Sequence, residues 1–264
     1  MHASIREELI LNLLNERGFV SFRELDALIT GSPATIRRDL ERLSRDGQLL
    51  RVRGGVKAVP GATNGAPSKN GGLRLTGVPF TENVTLHRTE KQAIGKAAAT
   101  LCVPGEGVMI DGGSTTLQMC PHLAGLNLQV LTNSLHIVSE LLPQAGTRIL
   151  VPAGAVFPEQ NIILSLPGDD SMPKFHAPKL FMGAASLGEQ GLMQADVVLV
   201  ASERRFLERA DQVIVLVDSS KFNGPSGNVV CSLSEIDTVI TDAGISDRTA
   251  AMLEKAGIAL IVAN

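Results

Sequence analysis

Residues 32–43 read Ser-Pro-Ala-Thr-Ile-Arg-Arg-Asp-Leu-Glu-Arg-Leu, a stretch that combines a helix start with a helical period. Ser32 is a preferred N-cap residue, and a proline in the first helical position favours a helix that begins there. One apolar face repeats at helical spacing, at Ile36, Leu40 and Leu43. The stretch therefore predicts a helix that continues to about Asp46 and ends at Gly47.

The opposite face of this predicted helix is rich in arginine. Arginine suits DNA because its guanidinium group donates two parallel hydrogen bonds to a phosphate or to a guanine edge. We therefore predict that the amino-terminal part of the helix enters a major groove. The residues of this segment predicted to contact DNA are Ser32, Ala34, Thr35, Arg37, Arg38 and Arg42.

Two other helices are predicted before the arginine-rich helix. The first runs from about residue 3 to Arg17 and ends at Gly18, because apolar residues repeat at helical spacing within it. The second begins after Ser21, which fits the capping-box pattern with Glu24, and a tight turn at residues 30–31 follows it. Two short helices joined by a tight turn, the second carrying arginines, are typical of a helix-turn-helix DNA-binding unit.

Residues 49–59 read Leu-Leu-Arg-Val-Arg-Gly-Gly-Val-Lys-Ala-Val and predict a β-hairpin. Gly54 and Gly55 provide a two-residue turn between arms in which apolar and polar residues alternate. The hairpin completes a winged helix-turn-helix, and Arg51 and Arg53 are predicted to contact DNA from it. The alternative interpretation is a helical hairpin that docks against another protein.

Charge and composition divide the chain into a basic amino-terminal part, a linker and a larger acidic part. Residues 1–59 hold ten basic and eight acidic residues, whereas the remainder holds fourteen basic and nineteen acidic residues. A basic module on an acidic body suggests a polyanionic partner for the amino-terminal end, although charge alone fits a solvated surface equally well. Between them lies a segment rich in Pro, Gly, Ser, Thr and Asn. We therefore predict a DNA-binding domain at 1–59, a flexible linker at 60–79, and a larger domain at 80–264.

Short β-rich runs alternate with helical stretches in the larger domain, which predicts an α/β fold with a mostly parallel sheet. The predicted strands are Gly107–Ile110, Leu128–Leu131, Arg148–Pro152, Lys179–Met182, Val213–Val217, Thr238–Ile240 and Ala259–Val262. The predicted helices are Phe80–Val103, Thr115–Leu123, Leu135–Leu142, Glu203–Ala210 and Asp247–Lys255.

Small polar, acidic and hydroxyl residues follow several of these strands, at the edge where open α/β sheets bind ligands. Residues 111–116 read Asp-Gly-Gly-Ser-Thr-Thr; the glycines let backbone N–H groups approach an anion and the hydroxyls add donors, so the loop predicts a phosphate site. Lys221 would supply positive charge, and Asp111 or Asp218 would accept hydrogen bonds from sugar hydroxyls. The alternative for the loop is an ordinary turn between a strand and a helix.

The complete predicted effector site combines residues from four such loops. Its members are Asp111, Gly112, Gly113, Ser114, Thr115, Thr116, Thr132, Asn133, Ser134, Gly183, Asp218 and Lys221.

Composition and motifs argue against several function classes. No apolar run approaches the roughly 18–20 residues needed to cross a bilayer. The amino terminus carries charges within its apolar pattern, unlike a secretory signal, so we expect a cytoplasmic protein with no membrane partner. Three distant cysteines and five scattered histidines predict neither a disulfide framework nor a metal site. GxxxxGKS/T is absent and no GxGxxG follows a strand, so no nucleotide cofactor is expected. The absence of Trp and Tyr argues against stacking on single-stranded nucleic acid.

The sequence resembles the DeoR family of bacterial transcriptional regulators of sugar catabolism. In the amino-terminal module the resemblance rests on residues 32–43, on Gly47 and on the Arg-x-Arg-Gly-Gly pattern at 51–55. In the body the matching segments are Glu90-Lys91-x-x-Ile94-Gly95-x-x-Ala98, Asp111–Thr116, Thr132–Ser134, Asp218–Phe222 and Thr241-Asp242.

This resemblance implies a winged helix-turn-helix joined to a sensor domain that is similar in fold to ribose-5-phosphate isomerase and coenzyme A transferases. It also implies double-stranded operator DNA as a partner and a phosphorylated sugar or sugar derivative as effector. Because family members bind repeated operator half-sites, a homo-oligomer, either dimer or tetramer, is implied as well.

The predicted function is a sequence-specific transcriptional regulator, a repressor of a carbohydrate-catabolism operon that the effector releases from DNA. One alternative is a sugar-phosphate isomerase-like enzyme fused to a DNA-binding module, in which Asp111, Asp218 and Lys221 act as acid, base and electrostatic stabiliser. A second alternative is a DNA-binding scaffold with an empty pocket.

Overall fold

The computed structural model describes residues 6–7, 9–11, 13–14, 19–29, 31, 33–45, 49–52, 55–58, 77–164, 172–224 and 227–264. The chain divides into two compact units, Met1–Thr76 and Gly77–Asn264. The predicted linker lies outside the described residues up to residue 76, as do Ser32, Gly47 and Arg53.

The amino-terminal unit is a winged helix-turn-helix, as predicted. Residues 6–7, 9–11 and 13–14 are helical. The elements that follow are β1 (Phe19–Ser21), α1 (Phe22–Leu28), α2 (Pro33–Arg45), β2 (Leu49–Val52) and β3 (Gly55–Ala58). The capping box is present, since Ser21 Oγ accepts from the Glu24 N–H at 3.2 Å and Glu24 Oε2 accepts from the Ser21 N–H at 2.9 Å. The three strands form an antiparallel sheet in the order β1-β3-β2, so the predicted hairpin gains β1 as an additional strand. The predicted turn at Gly54 and Gly55 is wrong by one residue, because Gly55 already pairs with Val52 as the first residue of β3.

A small hydrophobic core fixes α2 in this unit. The predicted inner residues Ile36, Leu40 and Leu43 are buried, and they share one cluster with Leu25 of α1 and Val56 of β3. The arginine-rich face of α2 is therefore turned away from the core.

The second unit is built on a parallel sheet of seven strands. All seven predicted strands are found, as β4 (Gly107–Ile110), β5 (Gln129–Leu131), β6 (Arg148–Leu150), β9 (Ala177–Met182), β12 (Ala210–Leu216), β14 (Thr238–Asp242) and β15 (Ala259–Ala263). Their order in the sheet is β15-β14-β12-β9-β4-β5-β6, and every neighbouring pair is parallel. The α-helices are α3 (Phe80–Asn83), α4 (Arg88–Ala99), α5 (Leu135–Leu141), α6 (Val197–Leu207) and α7 (Asp247–Lys255). Separate hydrophobic clusters cover the two faces of the sheet.

Three predicted helices differ from the structure. The predicted helix Phe80–Val103 is two helices, because His87 between them has a left-handed φ of 51°. The predicted helix Thr115–Leu123 is a 3₁₀-helix, Thr116–His122, and it contains Pro121, which lacks the N–H of a regular helix. The predicted helix at Glu203–Ala210 begins at Val197 and ends at Leu207.

Two small antiparallel sheets were not predicted. One pairs β7 (Ala155–Phe157) with β8 (Ile162–Leu164), and the other has the order β10 (Ser186–Gly188), β11 (Gly191–Gln194), β13 (Asn228–Cys231). Their strands have only three or four residues each, too short for an alternating pattern to stand out. Across the described ranges, no helix is both long and apolar enough to span a bilayer.

Candidate DNA-binding surface and effector site

The predicted DNA-contacting residues of α2 lie on its outer face. Ala34, Arg37, Arg38 and Arg42 are exposed and Thr35 is half-buried. The Arg37 guanidinium carbon lies 5.1 Å from the centroid of the Phe22 ring, a cation–π contact that orients this side chain. Within the described ranges, Arg38 has neither a hydrogen-bond nor an ion-pair partner, so its guanidinium group is available to a ligand.

Two other predicted contacts are already paired with carboxylates. Arg42 forms an ion pair with Glu7, and Arg51 Nη1 lies 3.2 Å from Glu41 Oε1. Both arginines are about half exposed, with side-chain exposures of 50% and 49%. Because exposed ion pairs contribute little stability, DNA phosphates can displace these carboxylates at small cost.

The position of α2 is fixed from its inner side by a buried ion pair. Arg6 Nε donates to Asp39 Oδ2 at 2.8 Å, and the two side chains are 11% and 7% exposed. The contact joins residues 33 positions apart, so it ties the first helical segment to α2. The hydrogen bond to Asp39 raises the pKa of Arg6.

In the second unit, residues 111–116 follow β4 at the carboxyl edge of the sheet. Ser114 and Thr115 are buried, yet their hydroxyls have no partner among the residues the structure describes. The backbone N–H groups of Gly113, Ser114 and Thr115 likewise have no partner in that part of the chain. The loop therefore holds three backbone donors and two hydroxyls ready for an anion.

Other predicted members of the loop have structural hydrogen bonds. The Thr116 hydroxyl contacts the Asp111 carbonyl at 2.7 Å and the Gly113 carbonyl at 3.0 Å. The Gly112 N–H donates to Asn133 Oδ1 at 2.8 Å. A Cβ on Gly112 would lie 2.7 Å from Ile162 Cγ2, so packing requires glycine at this position. These groups shape the loop and are not themselves available to an anion.

The loop after β5 supports the loop after β4. Asn133 Nδ2 donates to Asp111 Oδ1 at 2.9 Å. Thr132 Oγ1 accepts from the Ser134 N–H at 3.1 Å, and Ser134 Oγ accepts from the Ile137 N–H at 3.3 Å as the N-cap of α5. Thr132 and Ser134 therefore act as scaffold in this structure. Asn133 links the two loops and positions the Asp111 carboxyl.

The Asp111 carboxyl is buried at the same edge. Burial raises its pKa to about 6, although the hydrogen bonds from Asn133 and Gly112 favour the ionised form. No cationic side chain within the described ranges forms an ion pair with it. A carboxyl in such surroundings is a good acceptor for ligand hydroxyls and is typical of a functional site.

The remaining predicted residues follow β9 and β12. Gly183 directly follows β9, and a Cβ added there would meet no atom within 4 Å, so this position opens onto free space. Asp218 is buried; its Oδ1 accepts from the Ser220 N–H at 3.2 Å, whereas its Oδ2 has no hydrogen-bond partner among the described residues. Lys221 is half-buried, and its ammonium group forms no ion pair with a described residue.

Lys91, on α4, is a buried cation that the sequence interpretation did not place in the site. Its ammonium group donates to the Asn83 carbonyl at 2.6 Å and to Asn83 Oδ1 at 3.2 Å. Burial lowers its pKa to about 8, the charge of Asp218 opposes this shift, and the charge of Lys221 adds to it. Lys91 and Lys221 thus form a pair of cations at the carboxyl edge. Lys91 precedes the buried Ile94 by three residues and so lies on the same apolar face of the helix. A lysine on an apolar helical face was the sequence signal that could have placed it in the site.

Glu203, on α6, is a second buried charged residue that the sequence did not assign. Its Oε1 accepts from Gln194 Nε2 at 2.7 Å, and its Oε2 has no hydrogen-bond partner within the described part of the chain. Burial raises its pKa well above the ordinary value, the nearby Asp111 raises it further, and the hydrogen bond from Gln194 opposes both effects.

Comparison with known proteins agrees with this two-part architecture. The "DeoR-like helix-turn-helix domain" matches residues 6–60, and the "DeoR C terminal sensor domain" matches residues 86–243. The chain belongs to the DeoR family. Among its relatives is the HTH-type transcriptional regulator UlaR of Shigella dysenteriae serotype 1 (strain Sd197), 30% identical over 256 residues that cover 97% of each chain. The UlaR of Escherichia coli O1:K1 is 29% identical with the same coverage.

Membership of this family confirms the prediction of a transcriptional regulator rather than an enzyme. The relatives are named as regulators, which does not support the isomerase alternative. Solved structures match only in part. Ribose 5-phosphate isomerase A from Methanocaldococcus jannaschii covers 50% of this chain and 53% of its own, at a TM-score of 0.36 and 16% identity. The eIF2B delta subunit from Chaetomium thermophilum covers 55% and 51%, at a TM-score of 0.39 and 18% identity. Nothing about ligands follows from likenesses of this size.

Proposed function

We propose that this regulator is a repressor of a carbohydrate-catabolism operon, and that a phosphorylated sugar or sugar derivative releases it from its operator. The effector part of this proposal rests on the loop 111–116. Its backbone N–H groups and hydroxyls that have no partner among the described residues lie at the same sheet edge as Lys91 and Lys221. Phosphate is the anion that such an arrangement of donors and cations suits. The effector must bind one arrangement of the DNA-binding units better than another, because only differential affinity shifts an equilibrium.

The proposed division of labour follows the predicted domains. Residues 1–59 bind double-stranded DNA, 60–79 connect the two parts, and 80–264 bind the effector and form a homo-oligomer. A dimer or tetramer is proposed because one helix-turn-helix unit contacts a single half-site, whereas operators of this type carry two. The protein acts in the cytoplasm, where bacterial DNA is found.

We expect Arg38→Ala to weaken operator binding by about fivefold or more without unfolding the protein. Arg38 is exposed and unpaired among the described residues, and one bidentate contact to a base contributes about 1–3 kcal/mol. The measurement is fluorescence anisotropy on a duplex that the wild-type protein selects from random DNA. Arg45→Ala is the matched control, because this exposed arginine lies on the same helix about two turns away. Equal losses in the two variants would mean that Arg38 acts only through bulk charge.

We expect Lys221→Ala to weaken effector binding about tenfold or more and to leave DNA affinity unchanged when no effector is present. Calorimetry is carried out with ribose 5-phosphate, glucitol 6-phosphate and inorganic phosphate, each sugar being compared with its unphosphorylated form. Lys255→Ala removes an exposed lysine from the end of α7 and is the matched control. A dose response in Lys221→Ala that matches the wild type would remove Lys221 from the proposed site.

A further inference from the structure

Glu203 is a buried carboxyl at a position where packing alone would favour an apolar side chain. The residue is 3% exposed, one carboxylate oxygen accepts from Gln194, and the other has no hydrogen-bond partner among the residues that the structure describes. It occupies the inner stripe of α6 between Leu199 and Phe206, where an apolar residue would bury more favourably. A buried polar atom without a partner lowers the stability of the folded protein, so a purely structural glutamate is a poor choice here.

A second carboxyl lies close to Glu203. The charge of Asp111 acts directly on it, and Asp111 begins the loop that supplies the unpartnered backbone donors. Among the residues described, neither carboxyl has an ion-pair partner. Each carboxyl accepts a hydrogen bond from a neutral amide side chain, Asp111 from Asn133 and Glu203 from Gln194.

The edge of the sheet therefore has two chemically different parts. In one part, the charges of Asp218 and Lys221 both act on Lys91, which lies on α4. Two lysines and one aspartate make this part of the edge cationic. The part next to α6 holds Asp111 and Glu203 and is rich in carboxyl oxygens without cations. A phosphate is favoured in the first part and repelled from the second, whereas neutral hydroxyl groups suit the second because they donate to carboxyl oxygens.

We infer that Glu203 is a specificity-determining residue of the effector site, whose free oxygen hydrogen-bonds a hydroxyl group at the end of the effector remote from its phosphate. The inference rests on the proposed function. It assigns the effector to the class of polyol or sugar monophosphates in which one end is anionic and the other is neutral and hydroxyl-bearing. Asp111, whose charge acts on Glu203, contacts the same end of the effector.

The test compares organic phosphates with inorganic phosphate on the full-length protein. Calorimetry gives the Kd for inorganic phosphate, glycerol 3-phosphate, ribose 5-phosphate and glucitol 6-phosphate, and the ratio of the inorganic Kd to the best organic Kd measures recognition of hydroxyl groups. The variants are Glu203→Leu, which removes both oxygens, and Glu203→Gln, which keeps one acceptor. Glu208→Leu changes an exposed glutamate at the end of the same helix and is the control.

We expect the wild-type protein and Glu208→Leu to prefer an organic phosphate by at least tenfold. Glu203→Leu is expected to lose about tenfold of that preference, with the Kd for inorganic phosphate unchanged, and Glu203→Gln is expected to retain part of it. A preference in both Glu203 variants equal to that of the wild type would overturn this inference and leave the proposed function standing. Binding of inorganic phosphate without preference for any organic phosphate would also overturn it. Failure of the wild-type protein to bind any of the four compounds would overturn the proposed effector site itself.

Discussion

Gly95→Ala is expected to destabilise the second unit, Gly77–Asn264, by about 2 kcal/mol, although alanine is the better helix former. Helix propensity alone favours alanine over glycine by about 1 kcal/mol in the middle of a helix. At this position of α4, however, a Cβ would lie 2.5 Å from the backbone carbon of Gln118 and 2.7 Å from its carbonyl oxygen. Overpacking of this kind costs about 1–3 kcal/mol, and the upper end applies because the colliding atoms belong to the backbone. The steric effect therefore outweighs the propensity.

The same substitution is expected to weaken phosphate binding. Gln118 follows Thr116 by two residues in the 3₁₀-helix that begins at the end of the loop 111–116, so displacing it moves the unpartnered donors. The measurements are denaturant unfolding followed by circular dichroism, since the chain contains neither Trp nor Tyr, and calorimetry with inorganic phosphate. Gln92→Ala, at an exposed position of the same helix, is expected to change neither quantity. A more stable Gly95→Ala protein would show that α4 and the 3₁₀-helix separate without cost.

The inner strands of the parallel sheet were predictable because they are largely buried on both faces, which makes them nearly continuous apolar runs between polar loops. The edge strands β6 and β15 are only partly buried, but they too are short apolar runs. The helix α6 was harder to place, because its first turn reads Val-Val-Leu-Val and favours a strand by intrinsic propensity. The Asp196 side chain overrides that preference by accepting from the Val198 N–H at 2.9 Å.

The polar residues of the site were only partly predictable, for two different reasons. Motif composition marks the loops but does not say which hydroxyls are free; Thr116 and Ser134 bond to nearby backbone, whereas Ser114 and Thr115 do not. Lys91 and Glu203 had the opposite difficulty, since each is a single charged residue on an otherwise apolar helical stripe. A charged residue at an inward helical position is costly to bury, and that cost is the signal to follow in related sequences.

Asp111→Asn is expected to stabilise the second unit by up to about 3 kcal/mol at pH 8 and to have little effect on its stability at pH 4. Burial raises the pKa of Asp111 from 3.8 to about 6. Above pH 6 the folded protein must hold an ionised carboxylate in surroundings that disfavour it, and two pKa units correspond to about 3 kcal/mol. Asparagine carries no charge and keeps the Oδ1 acceptor that now receives the hydrogen bond from Asn133.

The direction of the pH dependence follows from proton linkage. Between about pH 4 and pH 6 the unfolded chain has released the Asp111 proton while the folded chain still holds it, so unfolding releases a proton and wild-type stability falls as the pH rises. Glu203 lies close by and has a pKa raised in the same direction, so removing the Asp111 charge also eases the ionisation of Glu203. The measurement is the free energy of unfolding at pH 4, 6 and 8, with Asp247→Asn, an exposed aspartate, as the control in which no gain is expected.

The same variant is expected to bind organic phosphates more weakly than the wild-type protein, because the amide nitrogen replaces one acceptor oxygen next to the hydroxyl-bearing end of the effector. Greater stability combined with weaker binding is the pattern of a residue retained for function at a cost in stability. A Asp111→Asn protein that is less stable at pH 8 would mean that the carboxylate makes stabilising contacts that outweigh its burial. In that case Asp111 would belong with Thr132 and Ser134 among the residues that shape the site and would not contact the effector.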